Sequence, residues 1–407
     1  MASCDEPQLL AIDDALTRMR TAAPMVAERE QVPLSELLDR ISASPIKAGF
    51  NVPSHDNSAM DGYAVRAGDT HQALTLVGQS LAGHPFNGEL QTGQCVRITT
   101  GATIPAGANA VVMQENTLVT GKQIQLHTAP QPGENIRRCG EDIRAGQVVF
   151  NAGHRFGPVD IALLASLGLA QATVKRRLKV AVLSTGDELI APGQALPAGH
   201  IYDSNRYGLC AMLRRLDVEV LDIGLVPDQP QAIREAFQMA ASQADAIVCS
   251  GGVSVGDADY VKPALDELGD IAFWKVAIKP GKPFAFGHLA NAVFFGLPGN
   301  PVSSMVTLHQ LALPILRAMA GEQVAAPLTL SACATDGYKK RPGRQDFQRA
   351  QLSSVDGVNQ IRSGGAQGSG VLTSFLDANA YAVLEAERSA VSAGETVTVI
   401  PFDRFIR

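Results

Sequence analysis

Asp245–Tyr260 reads DAIVCSGGVSVGDADY. Its first part, Ala246-Ile247-Val248-Cys249, is an apolar run of the kind that is buried in a parallel sheet. The run gives way to Ser250-Gly251-Gly252-Val253-Ser254-Val255-Gly256. Paired glycines let a backbone turn tightly and let a ligand approach peptide N–H groups, and the two serines add hydroxyl donors. Asp257 and Asp259 follow, and Val261–Leu268 has a helical pattern. A glycine-rich turn from strand into helix is an anion site, because free N–H groups and the helix dipole point at the loop. Carboxylates beside such a loop repel a phosphate unless a divalent cation stands between them. The stretch points to a phosphate-bearing ligand with Mg²⁺; a plain turn with a helix N-cap is the alternative.

The neighbouring sequence alternates in the same way. Val180–Leu183 is a predicted strand, Asn205–Leu216 a helix with Leu209, Met212, Leu213 and Leu216 on one face, Val218–Ile223 a strand and Gln231–Ser242 a helix. Trp274–Ile278, Phe284–Phe286 and Val293–Gly296 add strands, and Val302–Met319 closes the unit as a helix. Strands alternating with helices imply a parallel sheet whose ligands bind at the strand C-termini. Upstream, residues 8–20 and Leu34–Ile41 read as helices, and Val159–Leu169 as another. Between them, residues 46–150 carry short alternating runs and turn signals, an all-β texture. Residues 325–407 return to short strands, as in a small β-barrel or sandwich.

The chain has 407 residues, enough for two to four domains. With 46% hydrophobic and 18% charged residues it is a globular chain and not a disordered one. A formal net charge of −6 gives no global attraction to nucleic acid or to an anionic membrane, so neither is expected as a partner. The six cysteines show no C-x-x-C spacing, so neither a zinc ribbon nor a redox dithiol is indicated; Cys210 and Cys249 read as core. MASCDEPQLL has no basic segment followed by an apolar one, and Met305–Ala320 is too short and polar to span a bilayer; the cytoplasm is the expected compartment.

Three loops of the α/β region share one chemical profile. Ser184-Thr185-Gly186-Asp187-Glu188 has a hydroxyl pair, a glycine and two carboxylates after a strand. The opening stretch repeats it. Gly296-Leu297-Pro298-Gly299-Asn300-Pro301 follows a third strand, with Pro301 placed for a first helical turn. Three such loops at strand ends make a ligand crevice the better reading over structural turns. Lys275, Lys279 and Lys282 lie in a proline-stiffened segment and read as an anion site. In the β-rich region, Asp61-Gly62 alone signals a hairpin turn. Arg137-Arg138 beside Gly140, Glu141 and Asp142 is either a solvated turn or an oxyanion fork. His309 falls on an apolar face and reads as a core histidine.

Together these segments resemble the MoeA family of molybdopterin molybdenumtransferases, which is related to the E domain of gephyrin. The matching motifs are NSAMDGYAV (57–65), RITTGA (97–102), GENIRRCGEDI (133–143), STGDEL (184–189), IYDSN (201–205), SGGVSVGDADY (250–260), IKPGKPFAFG (278–287), GLPGNPVS (296–303) and GRQDFQR (343–349). Met60 departs from the leucine of many relatives. The resemblance implies Mg²⁺-assisted insertion of molybdate into adenylylated molybdopterin with release of AMP. It implies catalytic roles for Asp61, Thr100, Asp142, Glu188, Asp228 and Asp259, with Glu188 and Asp259 as metal ligands. Ser184, Thr185, Gly186, Asp203, Ser250, Gly251, Gly252, Ser254, Pro298, Gly299, Asn300 and Pro301 would bind the pterin nucleotide. Lys275, Lys279, Arg349 and Ser369 would hold molybdate. It further implies four domains: 27–45 with 147–178 as a linker domain, 46–146 as a β-rich insertion, 7–26 with 179–325 as the α/β domain, and 326–407 as a β-barrel. A homodimer with a composite site is expected. A molybdopterin adenylyltransferase and apo-molybdoenzymes are expected as further partners. The competing readings are an adenylyltransferase, or a non-catalytic carrier that would need the phosphate loop without the acid cluster.

Overall fold

The computed structural model describes residues 9–69, 73–252 and 260–407. Two compact units are present, one of residues 44–152 and 158–170 and the other holding the remainder of the chain.

The larger unit is built on a six-stranded sheet. Its elements are α1 (Ile12–Ala22), β1 (Lys179–Thr185), α2 (Asn205–Arg215), β2 (Glu219–Val226), α3 (Pro230–Gln243), β3 (Ala246–Ser250), α4 (Val261–Leu268), β4 (Gly269–Lys275), β5 (Pro283–Leu289), β6 (Ala292–Leu297) and α5 (Pro301–Thr307). The strand order is β2-β1-β3-β6-β5-β4, parallel from β2 to β6 and antiparallel beyond. From β1 the chain steps to β2 on one side and then to β3 on the other. The strand order therefore reverses between β1 and β3, and their C-terminal ends flank the switch-point crevice where ligands bind in such sheets.

Burial explains why β1 and β3 are apolar without interruption. Val180, Val182, Ala246 and Val248 face one way and pack with Leu209 and Leu213 of α2 and with Met19 of α1. Ala181, Leu183, Ile247 and Cys249 face the other way and pack with Ile233 and Phe237 of α3. Both faces of the central strands are covered, so the period-two polar alternation of a half-exposed sheet is absent.

A second sheet closes the C-terminal region. β7 (Leu330–Ala334), β8 (Gln345–Val355), β9 (Val358–Ser363), β10 (Ala380–Leu384) and β11 (Thr396–Pro401) run in the order β8-β9-β7-β11-β10, and β10 pairs back onto β8. The result is the small barrel expected from the sequence. The short strand Ile278–Lys279 adds to it, with Ile278 opposite Gln345 and Lys279 opposite Asp346.

The smaller unit is β-rich. Its six-stranded sheet is ordered Ala110–Met113, Gly62–Val65, Gln94–Ile98, Leu74–Ser80, Gln123–Leu126, Thr117–Thr120, beside shorter two-stranded pairings. Among the described residues no helix is long and apolar enough to cross a membrane.

Three local expectations are corrected. Leu34–Ile41 is one 3₁₀ turn, Leu34–Glu36, followed by a turn with Asp39 at φ 64° and an isolated bridge from Ile41 to Arg155. Trp274–Ile278 is split: β4 ends at Lys275, and Ile278 belongs to the barrel. Val302–Met319 is helical throughout but passes through a π-helical segment at Leu308–Ala312 before resuming at Leu313–Met319. Pro314 lies just past that segment and has no N–H to continue the α-helical ladder, which accounts for the change of winding.

Candidate functional site

The crevice loops interlock through glycine. Gly251 has φ +92°, and a Cβ there would fall 2.4 Å from the Thr185 carbonyl oxygen. Gly252 has φ +66°, and a Cβ would meet a Val261 methyl at 2.2 Å and Thr185 Oγ1 at 2.9 Å. Only glycine lets the β3 loop lie this close to the end of β1. Gly251 N–H bonds to Leu297 O at 3.3 Å, tying in the end of β6. Asn205, the first residue of α2, completes the junction: its Nδ2 donates to Ser250 Oγ at 2.9 Å and to Gly299 O at 2.7 Å.

Two buried polar atoms in this junction have no hydrogen-bond partner among the described residues, Thr185 Oγ1 and Asn205 Oδ1. Thr185 is 3% exposed. Unsatisfied buried polar groups are uncommon in folded chains and call for a functional account. Ser184 and Asp203 are committed internally: Ser184 Oγ donates to Asp203 Oδ1 at 3.3 Å, and Arg206 Nε donates to Asp203 Oδ2 at 2.9 Å. Arg206 in turn reaches Asp222 at 2.6 Å. Asp203 thus anchors α2 against the sheet, whereas Thr185 stays available.

An acidic group lies beside the crevice. Asp187 Oδ1 accepts the Asp228 N–H at 3.1 Å. The Glu188 carboxylate folds back over Gly186, where an added Cβ would come within 2.6 Å of Oε2. Burial, then the charges of Asp187 and Glu188, push the Asp228 carboxyl above the ordinary aspartate range. Asp259 and Ser254, expected here as metal ligand and nucleotide contact, lie outside the described residues. Among the described residues no group of three or more His, Cys, Asp or Glu side chains could hold a metal ion.

The candidate oxyanion residues gather where the α/β sheet meets the barrel. Lys279 Nζ is 2.8 Å from Asp346 Oδ2, and Asp346 is buried with Oδ1 unpartnered among the described residues. Lys279 is therefore charge-compensated, a pairing not legible in its loop alone. Lys275 and Lys282 have no ion pair among the described residues. Arg349 is 1% exposed; its Nε donates to Ser374 Oγ at 3.0 Å and Nη2 to Gly368 O at 3.3 Å. Burial lowers its pKa to about 10. Ser369 O accepts the Val302 N–H at 3.0 Å, which brings the barrel loop to the start of α5 and to the Pro298-Gly299-Asn300-Pro301 turn.

In the smaller unit, Asp61 Oδ1 accepts Thr100 N–H at 2.6 Å and Thr100 Oγ1 at 2.9 Å. Those two bonds hold its carboxyl below the ordinary aspartate range. Asp61-Gly62 is not a hairpin turn: Gly62 opens a strand, and a Cβ there would sit 1.9 Å from Val112 O. Asp142 is exposed and its N–H bonds to Val52 O at 3.1 Å; no bond joins it to Asp61 or Thr100 among the described residues. Arg138 does not form an empty fork but donates to Asp56 Oδ2 at 2.7 Å. His309 is buried and bonds Asp403 Oδ1 at 3.1 Å, as befits a core histidine.

Two residues and one role were not singled out from sequence: Asn205, Asp346 and the placement of Asp187 beside Asp228. Asn205 was visible as the start of the Asn205–Leu216 helix and the last letter of IYDSN, and Asp346 only within GRQDFQR.

Comparison with known proteins agrees along the whole chain. Residues 10–168 match the MoeA N-terminal region (domain I and II), residues 181–318 a probable molybdopterin binding domain, and residues 331–402 the MoeA C-terminal region (domain IV). The chain is 48% identical over 403 residues to the molybdopterin molybdenumtransferase of Haemophilus influenzae, covering 98% of this chain and 100% of that one. It is 30% identical over 425 residues to gephyrin of Dictyostelium discoideum, covering 92% of this chain and 59% of gephyrin. The crystal structure of a molybdopterin biosynthesis MoeA protein from Pyrococcus horikoshii matches with a TM-score of 0.85 at 30% identity, over 97% of this chain and 100% of that chain. With near-complete coverage at this identity, a switch-point crevice and a C-terminal barrel, the chain belongs to the MoeA family of molybdopterin molybdenumtransferases, enzymes of molybdenum cofactor biosynthesis.

Proposed function

We propose that this enzyme takes adenylylated molybdopterin and molybdate, cleaves the phosphoanhydride, releases AMP and delivers the molybdenum-loaded pterin. The observation that carries this reading is the acidic group Asp187, Glu188 and Asp228 beside a glycine-lined crevice at the β1/β3 switch point. Three carboxylates beside a phosphate-binding loop are mutually repulsive without a cation. Mg²⁺ is ordinarily held by one or two carboxylates with substrate phosphates and waters, a ligand set that carboxylates beside a phosphate site can supply. Glu188, with Asp228 or with Asp259, would hold it, and it would neutralise charge on the phosphates. Thr185 Oγ1 can donate to a phosphate oxygen, and Lys275, Lys282 and Arg349 supply cationic donors for a tetrahedral dianion. Lys279, paired to Asp346, retains N–H donors but brings less net charge.

The test is AMP release from adenylylated molybdopterin by the purified full chain, with and without molybdate and Mg²⁺, followed by activation of an apo-molybdoenzyme. AMP release that is independent of both molybdate and Mg²⁺ overturns the reading. The four-part division of the chain, a cytoplasmic setting, a supplying adenylyltransferase and receiving apo-molybdoenzymes belong to the same proposal.

Asp61, with Thr100 and Asp142, is proposed to act at the crevice of the other copy in a two-fold homodimer. Mixing Asp61→Asn with Glu188→Gln subunits should restore part of the activity, because a heterodimer carries one site with neither change. Subunits that exchange and remain inactive refute the composite site.

A further inference from the structure

We propose that Asn205 is a specificity-determining residue whose side-chain oxygen accepts a hydrogen bond from an exocyclic ring amine of the bound molecule. The inference rests on the reading of the crevice as a pterin–nucleotide site. The orientation of the carboxamide follows from its partners. Gly299 O can only accept, so the atom 2.7 Å from it is the nitrogen, and Oδ1 is the remaining atom. Nδ2 is fully used by Gly299 O and Ser250 Oγ, which fixes the amide plane between the β3 and β6 loops. Oδ1 is left buried and without a donor among the described residues. Asparagine is a poor helix former, and Asn205 makes no cap for its own helix, so local structure does not account for it.

The chemistry of the missing partner is set by the sign of the hydrogen bond. A phosphate oxygen at neutral pH has no hydrogen to give, so the phosphates of the ligand cannot satisfy Oδ1. They can satisfy the other orphan, Thr185 Oγ1, which donates. Oδ1 needs an N–H. An amine conjugated to a purine or pterin ring donates and does not accept, so a buried, fixed acceptor discriminates it best from a ring carbonyl. Leaving that acceptor unmet should weaken binding by about tenfold, ~1.4 kcal/mol.

The experiment is titration calorimetry on the full chain with two matched pairs. AMP against inosine monophosphate exchanges the purine amine for a carbonyl; pterin against lumazine does the same on the pterin ring. The wild type should prefer the amine-bearing member of one pair by about tenfold, and Asn205→Ala should bind both members of that pair alike. The pair that discriminates identifies the ring. A general loosening of the loops would weaken both members together and leave the ratio intact, so an Asn205→Ala variant that keeps the wild-type ratio overturns the proposal, as does a wild type with no preference in either pair. Loss of the preference on removing Mg²⁺ would make the carboxamide a cation ligand and overturn it too. A wild type that binds no member of either pair sinks the crevice reading itself.

Discussion

At the N-terminal ends of β1 and β3 the polar groups are matched. Asp245 precedes β3 and receives a bidentate fork from Arg176 at 2.7 and 2.8 Å, with Lys179 N–H as a third donor at 2.8 Å. Burial opposes its charge, but those donors outweigh burial and hold the carboxyl below the ordinary range. Arg155 donates to Leu216 O just ahead of β2 and pairs with Glu322, which also receives Arg317. At the C-terminal ends of the same strands, Thr185 Oγ1 and Asn205 Oδ1 have no partner among the described residues, and Asp228 is crowded by like charge. One end of the sheet is electrostatically closed and the other is left open to a ligand. Substitutions at the two ends should therefore separate stability from binding.

The largest effect is expected at the closed end. Glu322 is 7% exposed and lies between two guanidinium groups. Glu322→Gln leaves two partly buried cations, Arg155 and Arg317, under-compensated and should cost about 2–3 kcal/mol in chemical denaturation of the larger unit. The folded carboxyl is held down: burial raises its pKa, but Arg317 and Arg155 together lower it further. The stability it gives is present above the ordinary glutamate pKa and is lost as pH falls through the folded value. The gap between wild type and variant should accordingly close in acid. Ligand affinity at a permissive temperature should stay unchanged; a loss of binding without a loss of stability would erase the contrast between the ends.

At the open end the order reverses. Thr185→Val removes an unmatched hydroxyl and keeps the shape. Replacing an unsatisfied buried polar atom by a methyl is close to neutral or stabilising, so the melting temperature of the free protein should hold or rise. Affinity for AMP should fall by about tenfold, the worth of one hydrogen bond to a charged group. A variant that melts lower and binds normally would show that Thr185 serves the fold.

The legible and illegible parts of this chain divide along the same line. The α/β order was legible because Ala246-Ile247-Val248-Cys249 and Val180-Ala181-Val182-Leu183 are buried on both faces and read as continuous apolar runs. The three strand-end loops were legible because glycine recurs in each, joined by hydroxyls and carboxylates in the first two and by proline and asparagine in the third. What could not be read were pairings across long stretches of chain. Lys279 meets Asp346 across 67 residues, and Asn205 meets Gly299 across 94. Nothing local in WKVAIKPGKPF announces that its lysine is already neutralised. The Asp61-Gly62 turn failed for the opposite reason: its local signal was strong, but the close approach of Val112 O required the same glycine in a strand.

The smallest effect concerns Asp228 and sharpens the comparison by pH. Burial and the neighbouring carboxylates raise its folded pKa, so the protonated form is favoured in the folded state. A carboxyl of this kind adds stability that is fully present below the ordinary aspartate pKa and is lost as pH rises through the folded value. At neutral pH the ionised group is thus a cost, which Asp228→Asn removes. The variant should unfold at slightly higher denaturant than wild type at pH 7, and the advantage should shrink toward zero below the ordinary aspartate range. Asp245→Asn at the closed end should do the reverse, losing stability at pH 7 and converging with wild type in acid. Mg²⁺ should stabilise the wild type more than Asp228→Asn if the acidic group is where the cation sits. Equal stabilisation of the two, measured at fixed pH and ionic strength, would move the proposed cation away from Asp228 and leave the proposed pair Glu188 and Asp259 as the assignment to test next.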